Sequence, residues 1–173
     1  MKVLVIVSSK TGNTRLLAHG IADALGADLC DAGRLPGKLD DYDVVLLGFW
    51  CDKGEASADI VEAARHVHGK RLGCFATIGG NPNTSKAKMW LRETSQTLAT
   101  LGCGNRLQAT FLCRGRIDPA VFERMTQMLG GAVSPEREAG RRASETHPDR
   151  LDVLHAAQTF SSMLANSGLG QHD

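Results

Sequence analysis

The chain has almost no net charge. Its 20 Lys and Arg stand against 19 Asp and Glu, leaving +1 at pH 7 over 173 residues. That excludes a general electrostatic attraction to nucleic acid. No apolar run is long enough to span a bilayer, so no membrane segment is expected. Met1-Lys2 leads straight into an apolar strand, and removing it as a signal peptide would destroy a sheet; cytoplasm is the expected compartment. The five cysteines, Cys30, Cys51, Cys74, Cys103 and Cys113, are odd in number and form no C-x-x-C pair. They match neither a disulfide framework nor a zinc site, and most are expected to be small buried hydrophobes. His66 and His68, two apart on an expected helix, point to different faces, so no metal site is expected and the histidines read as solvated. Internal repeats and low-complexity stretches are absent. At 42% hydrophobic and 23% charged the composition is that of a globular protein, and its length suits one domain over residues 1–165 with a frayed tail at 166–173.

What is present is organised around Ser9-Lys10-Thr11-Gly12-Asn13-Thr14. The preceding Val3-Leu4-Val5-Ile6-Val7 has the pattern of a strand buried on both faces of a parallel sheet. Behind the loop, Leu17, Ile21 and Leu25 recur on one helical face, and Gly26 stands where that helix should stop. A strand, a hydroxyl-rich turn and a helix start therefore coincide. The unpaired N–H groups of a helix's first turn, with the positive end of its dipole, form an anion site. Gly12 allows close backbone approach, Ser9, Thr11, Asn13 and Thr14 offer side-chain hydrogen bonds, and Asn13 or Thr14 is expected to cap the helix. Lys10 reads as solvated, with direct charge to a phosphate as the alternative.

Along the chain, a short strand is expected at Asp28-Leu29-Cys30 and a central strand over Val44 to Phe49. The central strand ends in a polar loop, Trp50 to Glu55, before a helix from Ser57 to His68. Arg71 to Ile78 is the next strand; it breaks at Gly79-Gly80-Asn81-Pro82-Asn83. Ser85 to Leu101 returns to helical spacing through Met89, Trp90, Leu98 and Leu101. A fifth strand covers Leu107 to Cys113, and Pro119 opens a helix carrying Phe122, Met125 and Leu129. Gly130 to Pro148 reads as a partly irregular surface segment, and a last helix, Asp149 to Ala165, presents Leu151, Leu154, Phe160 and Leu164.

Strands alternating with helices predict an α/β doubly wound, five-stranded parallel sheet with helices on both faces. Ligands of such sheets bind outside the carboxyl ends of the strands. The hydroxyl-rich turn, Trp50 with Asp52, the Gly79-Gly80 turn and Cys113 to Arg116 must share that edge. No G-x-x-x-x-G-K-[ST], G-x-G-x-x-G or G-x-S-x-G occurs where it would signal other chemistry.

Ser9 to Thr14 resembles the S-x-T-G-N-T phosphate loop of the flavodoxin family. Gly48 to Gly54, Ala76 to Pro82, Cys113 to Pro119, Ser134-Pro135-Glu136-Arg137 and His147-Pro148 together resemble a bacterial flavodoxin-like subgroup, so the likeness covers nearly the whole chain. It implies strand order 2-1-3-4-5 and noncovalent FMN. Ser9, Lys10, Thr11, Gly12, Asn13 and Thr14 would hold the phosphate. Two loops would flank the isoalloxazine ring: Trp50, Cys51, Asp52, Lys53 and Gly54, and Thr77, Ile78, Gly79, Gly80, Asn81 and Pro82. Trp50 is the natural stacking surface, with plain core beside Phe49 as the alternative, and Gly54, the one glycine of the Trp50 loop, would permit a peptide to turn its carbonyl toward the flavin N5 hydrogen. Asp52 and Glu55 would lower the potential and Lys53 would oppose them.

Flavodoxins are typically acidic. This chain is nearly neutral, with Arg114 and Arg116 on the expected flavin edge, and the uninterrupted fifth strand favours the short-chain type. The resemblance therefore implies an electron carrier serving a dedicated partner reductase, one acting on tetrapyrrole-type or similar substrates. The alternative is an FMN-dependent NAD(P)H reductase acting on a quinone or other small acceptor.

Overall fold

Strand β1 (Val3–Val7) is buried along its whole length, and its alternating side chains feed two cores. Leu4 and Ile6 join one cluster with Val45, Leu47, Phe49, Leu72 and Cys74; Val3, Val5 and Val7 join another with Val44, Leu46 and Phe75. The computed structural model describes residues 1–166. Its sheet runs β2 (Asp28–Asp31), β1, β3 (Val44–Asp52), β5 (Arg71–Ile78), β6 (Arg106–Arg114), all parallel. A two-residue strand, β4 (Glu55–Ala56), pairs antiparallel with β3. Leaving aside β4, this is the expected 2-1-3-4-5 order.

Helices α2 (Ala58–Arg65) and α3 (Ser85–Leu101) cover the first core with Ile60, Ala64, Leu91 and Leu98. Helices α1 (Asn13–Leu25) and α6 (Arg150–Ala165) cover the second with Leu17, Ile21, Ala156 and Phe160. Phe160 meets Phe75 edge-on, with ring centroids 6.0 Å apart. Burying a side chain of this kind contributes about 1.5–3 kcal/mol, so both sheet faces are held firmly under the edge that carries the loops.

Several expectations are corrected. β3 continues through Trp50, Cys51 and Asp52 instead of ending at Phe49. The expected polar loop is the β3–β4 hairpin, whose central residues Lys53 and Gly54 both take positive φ, 52° and 91°. That is the type I′ geometry, whose twist matches the flanking strands. Helix α2 ends at Arg65, three residues early. On α3, Met89 is exposed and the buried stripe is Leu91, Ser95, Leu98 and Ala99. On α6, Leu151 and Leu154 are exposed, while Ala156, Ala157, Phe160 and Met163 face the core. Small residues seat that helix closely, which apolarity alone does not reveal.

The segment after β6 is more helical than expected. Helix α4 (Pro119–Met128) buries only Thr126 and leaves Met125 and the following Leu129 exposed. Gly130 to Pro148 contains α5 (Pro135–Ser144), capped by Ser134 Oγ accepting from Arg137 N at 3.2 Å. Its stabilisation is polar: Arg141 bridges Glu138 and Glu145, each at 2.7 Å, on helical i,i+3 and i,i+4 spacing. Such a helix has no apolar period to read. Apart from Asn166, the expected tail lies outside the described residues.

Candidate functional site at the carboxyl edge of the sheet

The four loops expected to share one edge do meet there. Helix α1 begins with Gly12 as its cap at φ 96°, a left-handed conformation that suits glycine. Neither Asn13 nor Thr14 caps it, because both are already helical and their side chains are engaged elsewhere. The first intrahelical bond runs from Leu16 N–H to the Gly12 carbonyl at 3.0 Å. The N–H groups of Asn13, Thr14 and Arg15 precede it, in a turn with no side-chain cap and no acidic residue. Ser9 Oγ accepts from Gly12 N at 3.1 Å and folds the loop back on itself. Ser9 and Thr11 hydroxyls and these backbone donors form a set suited to an anion, with no carboxylate in that turn to oppose one.

The loop is tied to its neighbours through Asn13 and Thr14. Asn13 Nδ2 donates to the Arg116 carbonyl at 2.9 Å and to Thr11 Oγ1 at 3.3 Å. Thr14 Oγ1 lies 2.9 Å from Thr77 Oγ1, and both threonines are buried. At Thr77 and Ile78, β5 opens into the exposed Gly79-Gly80-Asn81 turn and half-buried Pro82. The following loop locks onto that turn: Gly115 N donates to the Ile78 carbonyl at 2.8 Å, and Arg114 Nε to the Gly80 carbonyl at 3.3 Å.

Trp50 stands half-buried at the end of β3. Lys10, expected to be solvated, lies with Nζ 5.4 Å from the centroid of the Trp50 ring, a cation–π contact across the edge. Asp52, Lys53 and Gly54 form the exposed tip of the hairpin. Cys51 is half-buried, and burial pushes its thiol up, partly offset by the Gly54 amide. Cys113 is pushed up by burial first and then by Asp152 and Asp149.

Two residues entered this edge unannounced by any motif, and a third, Arg116, was expected here but acts through its backbone. Asp59 Oδ1 accepts from Ser8 Oγ at 2.6 Å, joining α2 to the end of β1. Trp90, which sequence spacing placed only on a helical face, donates from Nε1 to the Gly54 carbonyl at 2.7 Å. The Arg116 carbonyl anchors Asn13, a backbone role that no residue type signals. Away from the loops, His147, Asp149 and Asp152 bring ligand atoms within 4.8 Å of one another. Those atoms serve the start of α6: Asp149 and Asp152 form a reciprocal capping box, and His147 Nδ1 lies 2.6 Å from Asp152 Oδ2.

The family model for the flavodoxin domain matches residues 4–161. The chain belongs to the flavodoxin family. Two relatives named flavodoxin-like domain-containing protein BilS match over nearly their full length. The one from Clostridioides difficile (strain CD3) is 27% identical over 180 residues, covering 98% of this chain and 99% of that protein. The one from Clostridium symbiosum (strain WAL-14163) is 27% identical over 194 residues, covering 99% and 100%. Among solved structures, the Streptococcus pneumonia TIGR4 flavodoxin superposes with a TM-score of 0.60 at 13% identity, covering 96% of this chain and 99% of that one. At that identity the likeness establishes the flavodoxin fold. The edge built by Ser9–Thr14, Trp50–Gly54 and Thr77–Pro82 is the carboxyl edge of a flavodoxin sheet. No described helix is long and apolar enough to cross a membrane.

Proposed function

We propose that this flavodoxin-family protein binds FMN noncovalently at the carboxyl edge and carries electrons, in the cytoplasm, to a dedicated partner reductase. The observation that carries the reading is the open first turn of α1. Its donors are uncapped, unopposed by a carboxylate, and joined by Ser9 and Thr11 hydroxyls. That chemistry fits a phosphate monoester. In this reading Ser9, Thr11 and the N–H groups of Asn13 to Arg15 bind the phosphate, while Gly12 lets the backbone close on it. Lys10 adds positive charge between the phosphate and Trp50. The Asn13 amide holds the Arg116 segment, so its contribution is to fix the loop's shape.

Bound FMN supplies the redox chemistry, and the protein supplies position and electrostatics. Trp50 offers one wall, worth about 0.5–1.5 kcal/mol of stacking beyond area burial. Cys51 to Gly54 and Thr77 to Pro82 form the remaining surround. Arg114 and Arg116, with a chain of net charge +1, suit a partner that a strongly acidic shuttle would not serve.

Purification and anaerobic mixing test both halves. The protein is expected to be yellow, or to take up FMN stoichiometrically on reconstitution; colourless protein that takes up none contradicts the cofactor. The oxidised holoprotein is expected to bleach slowly with NADH or NADPH alone and rapidly when a reductase is added. Rapid bleaching by the nicotinamide alone would instead make it an FMN-dependent NAD(P)H reductase.

A further inference from the structure

The chain leaves β6 through a short strap, Gly115, Arg116 and Ile117, and the segment that follows comes back to hold it. All three backbone N–H groups of the strap are taken. Gly115 N donates to the Ile78 carbonyl of β5 at 2.8 Å, and Arg116 N to the His147 carbonyl at 2.8 Å. Ile117 N donates to Ser144 Oγ at 3.1 Å. Two of these acceptors therefore lie beyond α4 and α5, at the junction with α6. Ser144 is the one buried residue of α5, and its hydroxyl works both ways: it accepts from Ile117 and donates to the Arg141 carbonyl at 2.7 Å. His147 is fixed in turn by α6, with Nδ1 2.6 Å from Asp152 Oδ2. Arg137 joins α5 to α4, from Nη2 to Thr126 Oγ1 at 3.2 Å and with its guanidinium over the Phe122 ring. A polar helix without an apolar stripe thus buries one hydroxyl, and that hydroxyl meets the strap.

The strap in turn holds the Ser9–Thr14 loop. The Arg116 carbonyl accepts from Asn13 Nδ2 at 2.9 Å, and a Cβ on Gly115 would lie 2.7 Å from that same nitrogen. We infer that Ser144 is a positioning residue for the cofactor phosphate, acting through the 115–117 strap on Asn13. The inference rests on the FMN reading and extends it to what α4 and α5 do for the site. Asn13 supplies both a backbone N–H of the open first turn and the side chain that the strap anchors. Without the Ser144 hydroxyl, the N–H of half-buried Ile117 loses its acceptor. An unpaired N–H of this kind is relieved when the backbone moves toward water or another acceptor. That movement carries the Arg116 carbonyl away from Asn13 and loosens the turn that faces the phosphate. The β5 turn keeps its own bond to the strap at Gly115, so the ring side of the site is disturbed less.

The experiment is a double-mutant cycle between Ser144→Ala and Asn13→Ala, read by titrating FMN and riboflavin separately into the apoproteins. Ser144→Ala alone is expected to weaken FMN binding by about threefold to tenfold, the worth of one net hydrogen bond, and riboflavin binding by less than about twofold. In the Asn13→Ala background the same substitution is expected to cost less than about twofold in FMN affinity, because its route to the phosphate is gone. Unchanged FMN affinity, equal losses for the two flavins, or the same loss with and without the Asn13 side chain overturns the role of Ser144. Each of these leaves the cofactor assignment standing, since wild type binds FMN in all of them. Failure of wild type to take up FMN overturns the cofactor assignment, and the role of Ser144 with it. A second measurement needs no variant. The Ile117 backbone amide of labelled wild type, followed by NMR, is expected to exchange with solvent at least about tenfold more slowly than an unprotected amide. Free exchange there overturns the Ser144 contact on which the inference stands.

Discussion

Thr14 Oγ1, in the first turn of α1, lies 2.9 Å from Thr77 Oγ1 at the end of β5, and both side chains are buried. This contact joins the two loops furthest apart in sequence among those expected to grip the cofactor's two ends. It also explains why Thr14 does not cap its helix: the hydroxyl turns inward toward the strand.

Removing one of these hydroxyls strands the other. Thr14→Val or Thr77→Val is expected to destabilise the protein by about 1–3 kcal/mol, the usual cost of a buried polar group left unpaired. The double valine variant should lose less than the sum of the two, because no orphaned hydroxyl remains. Urea unfolding of the four proteins measures the coupling; strict additivity would show that the two hydroxyls do not depend on each other.

Gly115 is where the β6–α4 segment passes the Ser9–Thr14 loop. A Cβ there would lie 2.7 Å from Asn13 Nδ2, the atom that donates to the Arg116 carbonyl. Gly115→Ala is therefore expected to displace the Asn13 side chain and weaken FMN binding by about tenfold, the worth of roughly 1.4 kcal/mol. Global stability should change less than affinity, since the obstacle is the Asn13 side chain, with Nδ2, Cγ and Cβ at 2.7, 3.1 and 3.2 Å from the added Cβ, and not backbone. Isothermal titration of FMN together with thermal unfolding separates the two effects; unchanged affinity would exclude Asn13 from shaping the loop.

The thiols give a pH-dependent readout in which Cys51 alone belongs to the residues expected around the flavin. Burial pushes Cys30 up to about 11, with Asp31 adding to it, and Cys74 up to about 12, while Cys51 and Cys113 are also raised. A raised thiol pKa leaves less reactive thiolate at a given pH. At pH 8 the exposed Cys103 is expected to react with iodoacetamide well ahead of the other four. Raising the pH toward 10 should accelerate Cys30 and Cys51, which are half-buried, and leave Cys74 inert. FMN should slow Cys51 and leave Cys103 unchanged, as peptide mapping would show; equal protection of both would place the flavin elsewhere.

The strands were the most legible part of the sequence because runs such as Val3–Val7 and Val44–Phe49 are apolar on both faces, a pattern only a covered parallel sheet requires. The loop Ser9–Thr14 was legible as a motif, and topology alone brought it beside Trp50 and Thr77. Helical faces were read less well. Leu151, Leu154 and Met89 look like core residues by type yet are exposed, whereas Ala156, Ala157 and Ser95 are buried where close packing leaves room for little else. Helix α5 was missed because it is stabilised by a serine cap and arginine–glutamate bridges instead of an apolar stripe. The Trp90 to Gly54 and Asn13 to Arg116 bonds end on backbone oxygens, which carry no sequence signature.

The central claim is that Ser9–Thr14 holds the phosphate of FMN. Its most direct test is to titrate FMN and riboflavin separately into apoprotein, wild type and Ser9→Ala/Thr11→Ala, following quenching of flavin fluorescence. Wild type is expected to bind FMN one-to-one and far more tightly than riboflavin. The variant loses two hydroxyl bonds to a charged group, each worth about 1.5–3 kcal/mol, so its FMN affinity should fall by about 100-fold or more while riboflavin affinity stays level. Equal affinity of wild type for the two flavins, or equal losses for both in the variant, would contradict the assignment.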